Sequence, residues 1–248
     1  MIFAVVADVH SNLEALAAVV EHARRNGAER FVFLGDLVGY GADPEPVVER
    51  IMQLAFENAV VLQGNHDAAV AQRDAGGMND EAKAAIVWTR AQLKPRHVEF
   101  LFNLPLIQRE QDITWVHASA AAPELWTYVN SAHEARRSLD AAGTPYVFSG
   151  HVHDPMLYYT GRDEHVAALK PSEEFPIPVS SNRSWLAITG SAGQPRDGMV
   201  GARYVLFDHT LKRLTFHRVA YDYTTAAAKI RAAGLSERFA QLVEGRDY

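Results

Sequence analysis

The first third of the chain alternates continuous apolar runs with segments of helical period. Ile2 to Ala7 is apolar at every position and includes Val and Phe, which predicts a strand buried on both faces. Leu13, Leu16, Val20 and Ala23 then recur at helical spacing, and Gly27 supplies a C-terminal stop. The run RFVFL (30–34) predicts a second strand, Pro44 to Phe56 a second helix, and AVVLQ (59–63) a third strand. A βαβαβ order with short links requires a parallel sheet and right-handed crossovers.

Beyond this the pattern turns helical from about Asp67 to Asn103, with Asn79 or Asp80 as a cap and Pro95 as a break. Residues 68–103 are read as a helical lid over the strand ends. DITWVHAS (112–119) predicts a strand, Ser131 with Glu134 a capping box for a short helix, and PYVFSG (145–150) a further strand. From Met156 the runs MLYY, WLAITG, ARYVLFD and RLTFHRV predict antiparallel strands of a second sheet. Segment 160–184 reads as a loop or hairpin extension, and the tail as two short helices hinged at Gly234. There are no internal repeats or low-complexity tracts, so residues 1–248 are expected to form one domain.

Composition narrows the function. With 248 residues, 48% hydrophobic and 22% charged, the chain can bury one substantial core. A net charge of -6 gives no general pull toward nucleic acid or anionic membrane, so no stable nucleic-acid partner is expected. An anionic substrate must then be attracted locally, for example by bound cations. The absence of cysteine excludes disulfides, thiolate nucleophiles and Cys-type zinc sites. The apolar run at the N-terminus is too short for a signal h-region and no stretch approaches a membrane span, which predicts a cytoplasmic protein without membrane partners. Homo-oligomerisation is left open.

Polar chemistry gathers where the predicted strands end: Asp8 and His10 after the first, Asp36 after the second, Asn65, His66 and Asp67 after the third, His117 in WVH, and His151 and His153 after VFSG. In open α/β sheets this edge is where ligands bind. Each residue alone has a structural explanation. Asp8 can cap a helix, Asp36 and Asn65 can sit in turns, His117 can be a satisfied core histidine, and Asp67 can be a helix-start carboxylate. Together, seven of these Asp, His and Asn side chains closing apolar strands are uncompensated unless cations sit among them. Imidazole, carboxylate and amide oxygen suit Mn, Fe, Zn, Co or Ni. Seven ligands exceed what one tetrahedral ion needs, whereas two ions sharing a carboxylate, about 3.5–4 Å apart, accommodate them.

The motifs DVH, GD, GNHD, VH and GHVH, in that order, resemble the calcineurin-like metallophosphoesterases, and GSAGQPRDG (190–198) is similar to a segment of bacterial phosphodiesterase members. The resemblance implies an α/β four-layer fold of two packed mixed β-sheets flanked by helices. It implies that Asp8, His10, Asp36 and His153 hold one ion and Asp36, Asn65, His117 and His151 the other. It also implies a mechanism in which the ion pair supplies hydroxide and His66 acts as general acid. Asn12 becomes a candidate phosphate contact or a simple cap, Tyr40 a pocket wall, and Arg196 a phosphate contact.

One departure redirects the expectation. Protein phosphatases and symmetrical diadenosine tetraphosphate hydrolases of the family carry GDxVxRG; here GDLVGYG has Tyr40 in place of the arginine, and Gly39 in place of the protein phosphatases' histidine-orienting aspartate. The pattern resembles the small bacterial phosphodiesterase branch. This implies phosphodiester substrates, nucleotide-like or cyclic, with a dinucleoside polyphosphate hydrolase or phosphomonoesterase as alternatives. A non-catalytic scaffold on the same fold is the alternative of another class, disfavoured by the complete ligand set.

Overall fold

The N-terminal apolar run forms β1 (Ile2–Val6) of a computed structural model that describes every residue except 73, 162–164 and 247–248. Its side chains alternate between two cores, which is why no position in it is polar. Phe3, Val5 and Ala7 pack into the space between two sheets, while Ala4 and Val6 face a helical layer. Helix α1 (Leu13–Arg25), β2 (Arg30–Phe33), α2 (Pro44–Phe56) and β3 (Val60–Val61) follow in the expected order. β1 pairs parallel with β2, and β2 with β3.

The helical segment after β3 consists of α3 (Asn65–Gln72), α4 (Asp80–Gln92) and α5 (Pro95–Phe102). Asn79 caps α4 by accepting from Ala82 N, and Pro95 opens α5. Next come β4 (Ile107–Glu110), β5 (Ile113–Val116), α6 (Ala132–Ala142) and β6 (Tyr146–Ser149). Ser131 caps α6 as expected, accepting from Glu134 N. β7 (Met156–Thr160) and β8 (Val166–Leu169) form a hairpin, followed by β9 (Ile177–Pro178) and β10 (Trp185–Ile188). The 160–184 extension holds the short strands β8 and β9 in otherwise irregular chain, its residues 162–164 lying outside the described residues, as does residue 73. β11 (Ala202–Asp208), β12 (Arg213–Val219), α7 (Tyr223–Ala232) and α8 (Glu237–Val243) complete the chain, with Gly234 between the last two at φ +71.

Two six-stranded mixed sheets result, ordered β3-β2-β1-β11-β12-β9 and β4-β5-β6-β10-β7-β8. They pack face to face through Trp115, Tyr146, Phe148, Phe207 and Phe216, with α1 and α2 covering the first sheet and α6 the second. The arrangement corrects one expectation. ARYVLFD and RLTFHRV do not join the second sheet: β11 pairs antiparallel with β1, placing both in the first. β10 also runs parallel to β6. Local pattern marks these segments as buried strands, but their partners are set by packing of the whole sheet. Among the described residues, no helix is long and apolar enough to cross a membrane.

Candidate metal centre

Five parallel strands, β1, β2 and β3 of one sheet and β5 and β6 of the other, deliver their C-terminal loops to one rim. Backbone bonds lock the loops together. Asp8 N donates to Gly35 O at 3.0 Å, His10 N to Asp36 O at 2.9 Å, and Gly150 N to His117 O at 2.9 Å. Gly64 permits a close approach, since a Cβ there would lie 2.2 Å from Asp36 Oδ1. Asp8, His10, Asp36, His151 and His153 all adopt left-handed backbone, with φ between 47 and 69°. Such conformations are uncommon outside glycine, and Asp, Asn and His tolerate them best. Their concentration here is strain of order 1 kcal/mol or more per residue, held in place by the surrounding loops.

The side chains converge in two buried groups: Asp8, His10, Asp36 and His153, and Asp36, His117 and His151. Asp36 belongs to both. Its Oδ2 lies 3.7 Å from His10 Nε2 and 3.5 Å from His117 Nε2, while its Oδ1 accepts from His66 N at 2.8 Å. Asp8 Oδ1 lies 3.5 Å from His153 Nε2, and Asp8 Oδ2 accepts from His151 N at 2.9 Å. Asn65 Oδ1 lies 3.2 Å from His117 Nε2.

Proton positions decide what the site can hold. His10 Nδ1 faces Val38 O at 3.1 Å, His153 Nδ1 faces Gln194 O at 2.7 Å, and His117 Nδ1 faces Leu34 O at 3.1 Å. A carbonyl only accepts, so each Nδ1 carries the proton and each Nε2 presents a bare lone pair. The Nε2 atoms of His10 and His153 nevertheless face each other at 3.1 Å. Two acceptors at that distance repel unless a cation lies between them and the neighbouring carboxylates. Carbonyl partners on the far ring nitrogen are the usual outer support of metal-bound histidine. The residues therefore fit a divalent ion in the first group, and His117, His151, Asn65 and the shared Asp36 supply the same donor types for a second.

Electrostatics agree. Burial holds His117 down to about 4 and His151 to about 2, so both rings are neutral and available as ligands. Burial, with like-charge repulsion from Asp8 and Asp67, pushes Asp36 well above the usual carboxylate range. A cation beside Asp36 reverses that penalty.

A cleft of about 570 Å³ opens onto the two groups and is lined in part by Tyr40, His66, Trp126, Tyr128 and Arg196. His66 is 4% exposed, its Nδ1 has no partner among the described residues, and burial holds the ring down to about 3. Tyr40 packs against His10, His66 and Phe239 at ring distances of 4.6, 4.4 and 4.8 Å. Arg196 is exposed at the rim. Asn12 is placed differently from the other candidates. Its Oδ1 caps α1 at Ala15 N, its Nδ2 donates to Gly193 O at 2.9 Å, and it is not among the described residues that line the cleft.

Two features escaped sequence reasoning. Asp67, read as a helix-start carboxylate, also accepts from Leu37 N and Val38 N and so ties the loop after β2 to the loop after β3. The aromatics at 126 and 128 carry no motif, and nothing in the local sequence marks them as part of the rim.

Comparison with known proteins gives the family and the fold. Residues 1–211 match the sequence profile of the calcineurin-like phosphoesterase superfamily domain. An uncharacterized protein of Methanocaldococcus jannaschii is 35% identical over 234 residues, covering 92% of this chain and 90% of that protein. The crystal structure of a metallophosphoesterase from Sphaerobacter thermophilus superposes with a TM-score of 0.87 at 36% identity over 99% of each chain. A hypothetical protein from Pyrococcus horikoshii OT3 superposes with a TM-score of 0.77 at 21% identity, over 98% of this chain and 97% of that one, a likeness of fold alone.

Proposed function

The chain belongs to the calcineurin-like phosphoesterase superfamily and is a metallophosphoesterase, a hydrolase of phosphoester bonds, and from that premise we propose that its substrates are phosphodiesters of nucleotide-like or cyclic-nucleotide type. The observation that carries the reading is the bare Nε2 pair of His10 and His153, 3.1 Å apart beside Asp8 and Asp36. Asp8, His10, Asp36 and His153 hold one divalent ion, and Asp36, Asn65, His117 and His151 the other, with Mn first among the candidates. When bound, such a pair neutralises phosphate oxygens and makes a water molecule acidic enough to attack at neutral pH.

The remaining steps belong to the chain. His66 borders the cleft without being a ligand and donates a proton to the departing oxygen. Burial opposes its protonated form, so an anionic phosphate beside the ring is what restores the proton. Arg196 reaches phosphate oxygen from the rim, and Tyr40 forms the wall where related phosphatases use an arginine. Asn12 holds the 190–198 loop against the first motif through Gly193.

Among the described lining residues, charge favours diesters over polyphosphates. Arg196 is the one Arg or Lys among the described lining residues, and Asp74 and Glu124 also line it. A polyphosphate needs more cationic partners than this. Stripping the metal, restoring Mn, Co or Ni, and comparing bis-p-nitrophenyl phosphate with p-nitrophenyl phosphate and diadenosine tetraphosphate tests the proposal. Metal-dependent turnover with the diester preferred is expected. A preferred monoester or polyphosphate overturns the diester assignment, and no turnover with any metal favours the scaffold alternative.

A further inference from the structure

The cleft is far larger than a phosphate group requires, and its volume of about 570 Å³ falls in the range of pockets that enclose whole small molecules. The wall beside the second ligand group is unusual in composition. Leu125, Trp126 and Tyr128 line it, and Leu125 and Tyr128 are 69% and 47% exposed. Large apolar side chains gathered on a cleft wall mark a binding surface more often than an accident of folding.

Ring geometry ties this wall to the reaction centre. The Tyr128 ring stacks on His151 with centroids 4.1 Å apart and planes 26° apart, and the residue is otherwise exposed. The Trp126 ring meets His117 edge-on at 5.8 Å. Trp126 also holds a φ of 52°, a conformation that bulky residues avoid, and it is half-buried on the cleft wall. The charges present select the occupant further. Asp74 and Glu124 repel an arm that carries additional phosphates, whereas a neutral flat ring is acceptable to them and stacks on aromatic faces.

We infer that Trp126 and Tyr128 form a stacking subsite for a flat aromatic arm of the substrate, a nucleobase by chemical class, and so determine specificity on the side of the second metal group. The subsite rests on the phosphodiester reading above, in which the scissile phosphate lies over the ligand groups. Stacking continues the series His151–Tyr128 by one ring, and the Trp126 indole borders the same ring. Selectivity by this route tolerates different bases, because every base offers a π-face.

Binding separates the subsite from the chemistry. Adenosine 5′-monophosphate and ribose 5-phosphate share phosphate and sugar and differ by the base, so their affinities for the Mn-loaded protein isolate the stacking contribution. The wild type is expected to prefer the nucleotide by about tenfold to a hundredfold, the range typical of base–aromatic stacking. The preference should fall to near one in a Trp126→Ala, Tyr128→Ala double variant. Trp126→Phe should retain most of the preference while losing the fluorescence quenching that the nucleotide, but not the sugar phosphate, produces in the wild type. This variant keeps the test decisive if the double variant does not fold. Equal affinities in the wild type, or an unchanged preference in the double variant, overturn the subsite. A selective nucleotide site without diester turnover would leave the subsite standing and remove the phosphodiester reading instead.

Discussion

Asp67 offers a test of how the two central loops are held together. Its Oδ1 accepts from Leu37 N at 2.9 Å and Val38 N at 3.2 Å, and its Oδ2 accepts from Gly64 N at 2.9 Å. These bonds join the segment carrying Asp36 to the segment carrying Asn65. The carboxylate is fully buried, and burial pushes it up to about 7 in spite of the three donors. Asp67→Ala leaves three buried N–H groups without an acceptor, at about 1–3 kcal/mol each, and partial relaxation brings the total to about 3–6 kcal/mol. That is a large share of the roughly 5–15 kcal/mol that stabilises a typical domain. Asp67→Asn keeps one oxygen and turns the other acceptor into a donor facing a donor, so a loss of about 2–3 kcal/mol is expected. Urea unfolding of chelator-treated protein should rank wild type above Asn above Ala, with similar m-values. An Asn variant within about 0.5 kcal/mol of wild type would refute the stapling role, because a surface substitution away from any special contact does no more than that.

Two further outcomes follow from the site. His66→Ala should keep its metal content and lose about 10²–10⁴-fold in rate with alkoxide leaving groups but far less with p-nitrophenolate, which departs without a proton; equal slowing for both leaving groups would remove His66 from the acid role. Metal affinity should rise with pH through the raised pKa of Asp36, because burial and the Asp8 and Asp67 charges keep a proton on it that the ion must displace, whereas His117 and His151, held at about 4 and about 2, release none. Calorimetric Mn titration at several pH values should show affinity falling by up to about tenfold per unit below that pKa, and a pH-independent affinity would contradict this.

Much of the site could be read before any fold was seen, for a physical reason. A strand buried on both faces must be apolar throughout, so the first polar residues after it mark its end, and Asp8, Asp36, Asn65, His117 and His151 each fall at such a break. What could not be read was set by distant partners. The segments of β11 and β12 carry the right pattern for strands, but only packing assigns them beside β1. The left-handed backbone of the ligands, the stapling by Asp67 and the binding of Asn12 to Gly193 all depend on loops far apart in sequence. Trp126 and Tyr128 lie in a segment with no periodicity, and their role shows only once His117 and His151 stand beside them.

The central claim is a pair of ions joined by Asp36. Anomalous diffraction at the manganese edge, from crystals of the Mn-loaded protein, measures it directly. Two peaks are predicted, about 3.5–4 Å apart on either side of Asp36 Oδ2, one contacting Asp8, His10 and His153 and the other Asn65, His117 and His151. A single peak, or peaks away from Asp36, would contradict the account.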